Sequence, residues 1–599
     1  MSLKAIAYIT AFMFSAGATA SVQLAQSWQW KKVLQYNEKG YSEVKQGNFF
    51  FSLNGHQDPA AELRQTLSAF KSGKTAICRF PARHMLTTKA GLTEAFNYTE
   101  CNDFITWQQS RFVDKAALVF ADGYLKNPAS FHGHLFITLS GEQSSSGLLD
   151  NSLNFGASVP PGVNPVTYIL KGLFGGYQAR YSAQPFYRHN LSYGQIELRN
   201  LWDYELNLSD FDAQLLSAHL FELSETEYTY YFTSKNCAYY VARAIEIVAD
   251  DYLVSDDELT VFPSEIVQRI AEPKRDLVRS VTLNESEQKR FQSRYHALAE
   301  SEKLAARGWA NGNPHNPAFN RLSKAGQKRV LITLSSYFEF QRRQQPDSQQ
   351  HFKNKRVVLM ELLKHPAGNS HKQEPVAEQP HLGQKPNMVR ISRVLHSGEA
   401  DRWELTYRPT YYDRLQPKIG KPKHSGLTMG ELALSYADNK LSVESLTLID
   451  ITSFNVSSTG LPGDGGQSWA IKAGADRKRL RDTQPDFSGF VEGAYGAATD
   501  LTAGAIGYAL VSARLHDKEV DGDSHNVTLA AKFGVEGKIA NKNWFCEVSS
   551  PLSVADKVKA QDWITRCGAN LLHGTGFDLR LTLEKQNFAN YLLGFSYYF

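Results

Sequence analysis

The chain has 599 residues, room for roughly three or four domains with cores of their own. Its 65 Lys and Arg stand against 61 Asp and Glu, a near-neutral balance that excludes the basic footprint of a nucleic-acid binder. After the first twenty residues no stretch approaches the ~18 uninterrupted apolar residues of a spanning helix, so any membrane insertion must use strands.

Lys4, the apolar run Ala5 to Ala18 and the small residues Ala18-Thr19-Ala20 read as a secretory signal peptide over residues 1–20, with the mature chain starting near Ser21. No cysteine follows the small residues directly, so no lipid anchor is expected. In an oxidising compartment cysteine pairs survive. Cys78 and Cys101 lie close in sequence, as do Cys546 and Cys567, and pairing of both leaves Cys237 over. The alternative, a close pair that is reduced and merely buried, stays open.

Residues 21–108 hold Trp28, Trp30, a predicted helix from Ala60 to Phe70 and the segment Cys78-Arg79-Phe80-Pro81-Ala82-Arg83. They predict a small, mostly helical domain stapled by Cys78 and Cys101, with arginines that are structural or solvated. From 109 to 275 the pattern turns to strands. Ala116 to Phe120 is a short apolar run. Phe131 to Leu139 alternates, so His132, His134, Phe136 and Thr138 share one face. Gly141 to Gly147 reads as a turn and Leu148 to Phe155 as the next strand. A hairpin of the two places His134 opposite Ser152, with Asp150 and Asn154 flanking. One of these three is expected to orient the imidazole. Gly172-Leu173-Phe174-Gly175-Gly176-Tyr177 lacks the lysine and hydroxyl of a phosphate loop and reads as a mobile turn near a site. The segment Glu197 to Tyr204, containing Arg199, and a helix from Ser209 to Leu223 follow.

The stretch Tyr230 to Val241 organises the domain. After Cys237 the apolar positions Val241, Ala244, Ile245 and Val248 recur at helical spacing, so a helix starts near the cysteine, capped by Ser234 or Asn236. A thiol in that first turn meets the positive end of the helix dipole, which favours the thiolate. A thiol, an imidazole and an orienting polar group make a nucleophilic centre. The blander reading is a buried structural cysteine and a satisfied pair of strand histidines. His132 and His134 have no partners at zinc-like spacing, so neither a metal nor a cofactor is expected.

Residues 276–363 are predicted helical, with two or three helices over 285–363 broken near Asn311-Gly312-Asn313-Pro314, and their charges read as solvated surface. Residues 364–389 form a polar linker with Pro366, Pro375, Pro380 and Pro386. From 390 to 599 the segments are short and alternating. In the last, Tyr591, Leu593, Phe595, Tyr597 and Phe599 share one face. One apolar and one polar face, over about ten to twelve segments, is the signature of an outer-membrane barrel, although a soluble sandwich also alternates. The terminal aromatic strand resembles the assembly signal of bacterial outer-membrane proteins. That resemblance favours the barrel and implies the barrel-assembly machinery as a partner.

Gly133-His134, Asn154-Phe155-Gly156-Ala157, the Gly172 to Tyr177 run, Glu197-Leu198-Arg199 and Asn236-Cys237 together resemble, over Phe131 to Asp251, the bacterial periplasmic domain family typified by the N-terminal domain of the lyso-form lipoprotein N-acyltransferase Lnb. The order, histidine first and Asn-Cys later on a helix, is also similar to the circularly permuted papain-like acyltransferases and phospholipases. The resemblance implies thiol chemistry at His134 and Cys237 and an α+β, permuted papain-like domain. His132 stands where relatives commonly carry an apolar residue, and the known acyltransferase continues into membrane helices rather than strands. The reading is therefore a Gram-negative outer-membrane protein with a thiol hydrolase or acyltransferase in the periplasm. Cys237 would act as nucleophile, His134 as base, and Asn154, Asp150 and Asn236 beside them, with His132, Ser152, Glu197 and Arg199 as possible support. The expected donors are phospholipid or lipoprotein acyl groups. A cysteine peptidase or amidase acting on peptidoglycan, and a non-enzymatic pore or assembly platform, remain as alternatives.

Overall fold

The apolar run at Ala116–Phe120 becomes the interior of a seven-stranded sheet. The computed structural model describes residues 19–108, 112–125, 130–141, 150–160, 162–314, 316–365, 378–398, 400–478, 486–502, 504–517, 527–552, 563–586 and 588–599. The signal peptide up to residue 18, the predicted turn at 142–147 and linker residues 366–377 lie outside them. The described chain divides into two compact units, one ending at Asn284 and the other built mainly from Glu285 to Phe599.

In the first unit the strands β1 (Lys115–Ala121), β2 (His134–Ser140), β3 (Asn151–Ala157), β4 (Tyr177–Pro185), β5 (Leu201–Leu206), β6 (Tyr228–Tyr230) and β7 (Val278–Asn284) lie in the order β6-β4-β3-β2-β1-β5-β7. Every pairing is antiparallel. Strand β7 falls in the segment expected to be helical; its alternating exposure suits a half-covered edge strand. Leu118, Val119, Leu135, Phe136 and Ile137 of the central strands are completely buried. The helix Cys237–Ala249 is buried from Cys237 to Ile247 and packs against β2 and β3, with helices Trp28–Val33 and Asp210–Ser224 beside it.

Charges inside this layer are paired. Lys32 reaches Glu246 at 2.6 Å and Arg243 reaches it at 2.8 Å. Arg83 is held between Glu62 (2.9 Å) and Glu222 (3.3 Å), which makes it structural, and Cys78 is bonded to Cys101.

In the second unit β8 (Met388–His396), β9 (Arg402–Arg408) and β11 (Ser425–Ala437) to β20 (Ala589–Tyr598) close into a ring. Strand β20 pairs with β8, β8 with β9, and β9 with β11, giving a twelve-stranded antiparallel barrel with the short β10 (Thr410–Tyr412) laid on β11. The pattern is apolar outside and polar inside. Tyr591, Leu593, Phe595 and Tyr597 are exposed while Ser596 and Tyr598 are buried, and Ser392, Thr406, Arg514, Asn570 and Arg580 also face inward. Cys546 stands directly opposite Cys567 on adjacent strands and is bonded to it.

The segment between β10 and β11 does not stay at the rim. Arg414 pairs with Glu536 (2.8 Å) and Glu547 (3.4 Å) and donates to the Tyr508 hydroxyl (2.9 Å). Asp413 pairs with Arg408 (3.0 Å) and Arg580 (2.7 Å). Asn543 Nδ2 donates to the carbonyl of Gln416 (2.6 Å). Counted round the ring, the strands carrying Glu536 and Glu547 lie opposite β11, so this segment crosses the lumen. The expected two or three helices of 285–363 are Glu287–His296, Glu300–Ala310, Lys324–Gln344 and Gln349–Leu362, with a short turn of helix at Pro317–Asn320. They dock on the connection after β12 (Lys440–Ser453): Leu461 is buried in their core, and the Tyr337 hydroxyl and Gln341 Nε2 both donate to the Pro462 carbonyl (2.8 and 2.6 Å).

Candidate active site

Cys237 opens its helix because Asn236 fixes where the helix begins. Asn236 is extended, and its Oδ1 accepts from the backbone N–H of Ala238 (2.9 Å) and Tyr239 (3.3 Å). Its Nδ2 donates to the carbonyls of Phe232 (3.1 Å) and Val261 (2.8 Å). The buried amide thus ties the helix start to two loops and sets the thiol at the positive end of the dipole.

Glycine places the histidine. Gly133 has φ +93°, and a Cβ there would lie 2.6 Å from the Phe120 ring and 2.8 Å from the Ala121 carbonyl oxygen. Strand β2 therefore begins at His134, opposite Ala121. His134 Nε2 lies 2.5 Å from Asn154 Oδ1. An amide oxygen only accepts, so Nε2 carries the proton and the Nδ1 lone pair is left for the thiol.

Burial pushes the Cys237 thiol pKa up, but the charge of His134 and its hydrogen bond, the Leu135 N–H and the Tyr230 hydroxyl outweigh it, and the net shift is downward. Tyr230 is the partner that sequence reasoning missed. Burial first, and the neighbouring Cys237 next, raise its pKa well above the usual range. Its hydroxyl therefore keeps its proton beside the sulfur. It sits at the end of β6, paired with Tyr177 and stacked near Phe155. The only signal was the aromatic run Tyr228 to Phe232, whose two faces a three-residue strand does not distinguish.

Of the other expected residues, Asn154 meets the histidine, but through a different register. Phe136 stands opposite Asn154 and Thr138 opposite Ser152, so His134 is not opposite Ser152. Asn154 shares the His134 face because the side-chain period is two. Ser152 Oγ donates to the Gln184 carbonyl (2.6 Å), and the Asp150 carbonyl accepts from the Phe186 N–H (2.9 Å). His132 is not on the strand; it lies in the preceding turn with its ring 4.6 Å from Phe262, and burial lowers its pKa to about 3, so it is neutral. Glu197 and Arg199 pair with each other (3.0 Å) and group with the second unit. His189, which sequence reasoning did not single out, stacks on Phe136 at 4.4 Å. Burial, and then the charge of His134, lower its pKa to about 3. Gly172 to Tyr177 is not a loose turn. Gly172 is inside helix Pro165–Phe174, Gly175 closes that helix at φ 78°, and Tyr177 begins β4. Among the described residues no group of three His, Cys, Asp or Glu side chains is arranged to hold a metal ion.

A lowered thiol on a capped helix, a histidine beside it and an asparagine on the far ring nitrogen make a candidate Cys-His-Asn nucleophilic centre on an antiparallel sheet, joined to a membrane-type barrel. Residues 103–273 match the family described as the Lnb N-terminal periplasmic domain. Residues 377–598 and 22–89 match two domains of unknown function, DUF7840 and DUF7843. No curated protein matches the chain. Among solved structures the chain is similar to a KdgM porin in complex with disordered oligogalacturonate (9% identity, TM-score 0.22, covering 35% of this chain and 99% of that one). It is also similar to a mutant of the Rh. blastica porin (9% identity, TM-score 0.16, 36% and 99%).

Proposed function

We propose that this protein is a thiol acyltransferase or hydrolase, in permuted papain-like form, facing the periplasm and tethered to the outer membrane of a Gram-negative bacterium by its own barrel. The observation that carries the reading is the Cys237 thiol, lowered in pKa against its own burial by a histidine that Asn154 orients. Cys237 Sγ attacks an ester or amide carbonyl; the S–C bond forms as the C–O or C–N bond breaks. His134 Nδ1 takes the thiol proton and returns it to the leaving oxygen or nitrogen. The backbone N–H of Cys237 and the neighbouring Tyr230 hydroxyl are the donors available to the oxyanion. The thioester then passes its acyl group to water or an amine.

The match of residues 103–273 to a domain family named for an acyltransferase, on a chain that carries its own membrane barrel, favours a phospholipid or lipoprotein acyl group as donor. The test is intact-protein mass spectrometry after incubation with phospholipid vesicles, wild type beside Cys237→Ala. A hydroxylamine-labile fatty-acyl adduct is expected on the wild type alone. Absence of the adduct, with lipid composition unchanged and peptide fragments released from purified sacculi, would replace this reading with a peptidoglycan amidase.

A further inference from the structure

Helix Pro165–Phe174 is a defined element with an exposed apolar face. Asn164 Oδ1 caps it by accepting from the Thr167 N–H (2.9 Å), Pro165 starts it where no N–H is needed, and Gly175 ends it in the left-handed region, with the Gly176 N–H donating to the Lys171 carbonyl (2.7 Å). One side is packed. The Gly172 carbonyl accepts from the Phe232 N–H at 2.8 Å, a Cβ on Gly172 would lie 2.3 Å from the Phe232 ring, and the Tyr168 and Phe232 rings are 5.0 Å apart. The other side shows Ile169, Leu170, Leu173 and Phe174, exposed by 40, 51, 36 and 78%. At positions i, i+1, i+4 and i+5 they form one continuous stripe. A helix on a soluble surface carries polar residues there. The one residue of this helix charged at neutral pH is the exposed Lys171, of the sign that suits an anionic lipid surface.

Two features say what covers the stripe. The packed side leads directly to the nucleophile, since Phe232 touches the helix and its carbonyl holds the Asn236 side chain next to Cys237. The same chain also carries a barrel with an apolar outer surface, which keeps a bilayer tethered to this unit. We propose that helix Pro165–Phe174 is an interfacial helix that sets Ile169, Leu170, Leu173 and Phe174 among the acyl chains of a phospholipid leaflet, bringing lipid esters to Cys237. Insertion stands on the helix itself; delivery rests on the acyl-transfer reading.

The two parts are tested separately on the full chain reconstituted in phosphatidylethanolamine and phosphatidylglycerol vesicles. A nitroxide on Phe174→Cys, in a Cys237→Ser background, is expected to collide several-fold more with oxygen than with a water-soluble nickel chelate, relative to a label at Glu225→Cys. Equal accessibility at the two positions overturns insertion. A label shielded from both colliders, or showing dipolar broadening between copies, assigns the face to a protein or to a second copy and overturns it as well. For delivery, Leu170→Ser/Phe174→Ser is expected to reduce turnover of vesicle phospholipid at least tenfold more than turnover of a soluble short-chain ester. Equal losses on both substrates overturn delivery. If the wild type turns over neither substrate, the acyl-transfer reading falls and delivery with it, while the nitroxide result still decides insertion.

Discussion

At the residue scale the central quantity is the Cys237 thiol, on which burial and its neighbours act in opposite directions. Only the thiolate is alkylated, and its fraction rises as pH passes through the pKa, so a lowered pKa moves the iodoacetamide rate curve below the ordinary thiol midpoint of about 8.5. In His134→Ala the charge and hydrogen bond are gone while burial, the Leu135 N–H and the Tyr230 hydroxyl remain; the midpoint is expected to move up from the wild-type value. An unchanged midpoint would separate the histidine from the thiol. The alkylated peptide is identified by mass, with Cys237→Ser as the blank. Tyr230→Phe removes one hydroxyl while keeping the ring on Phe155. If the hydroxyl serves the oxyanion, kcat falls about 10²- to 10³-fold with little change in KM. A fall in KM affinity alone would leave Tyr230 a packing residue.

At the element scale the site depends on where a helix starts and where a strand starts. Asn236→Ala removes the cap and leaves the Phe232 and Val261 carbonyls without their donor; thermal unfolding is expected to report a loss of about 1–2 kcal/mol. A second element contact carries a pH signature. Burial pushes the Glu222 carboxyl up to about 7 against the pull of Arg83. The folded chain therefore keeps a proton that the unfolded chain releases above its ordinary pKa of 4.5. The stability this gives is full below that value, falls as pH rises towards about 7 and is level beyond. Glu222→Gln keeps the protonated shape, so its Tm is expected to lack that decline when compared with wild type between pH 5 and 8. The helix start at Cys237 was legible because apolar positions four apart and an Asn cap are local signals. The face of Asn154 was legible because strands repeat every two residues. The register was not, because it depends on the connection between β2 and β3, and a four-residue slip preserves the face while moving the partner from Ser152 to Gly156. Nor was Gly172, which reads as turn chemistry in isolation and is a packing glycine once Phe232 lies against it.

At the scale of the whole molecule the question is whether the barrel transports or holds. Alternation and the aromatic end made a barrel legible in the sequence, since each strand declares its two faces. The contents of its lumen were not, because Asp413 to Lys421 reads as an ordinary polar connection until the ring closes round it. Arg414 then meets Glu536 and Glu547 from the far wall, with its guanidinium 4.4 Å from the centre of the Phe545 ring. A cation facing two buried acids is held in place by the repulsion that its removal would expose. Intact protein in planar bilayers is therefore expected to pass little current. Arg414→Ala leaves Glu536 with His424 and Glu547 with Tyr508, two acids without their common cation. The crossing segment should loosen and discrete open steps should appear. Large, steady conductance in the wild type would instead make the barrel a pore and overturn the reading of the crossing segment as a plug.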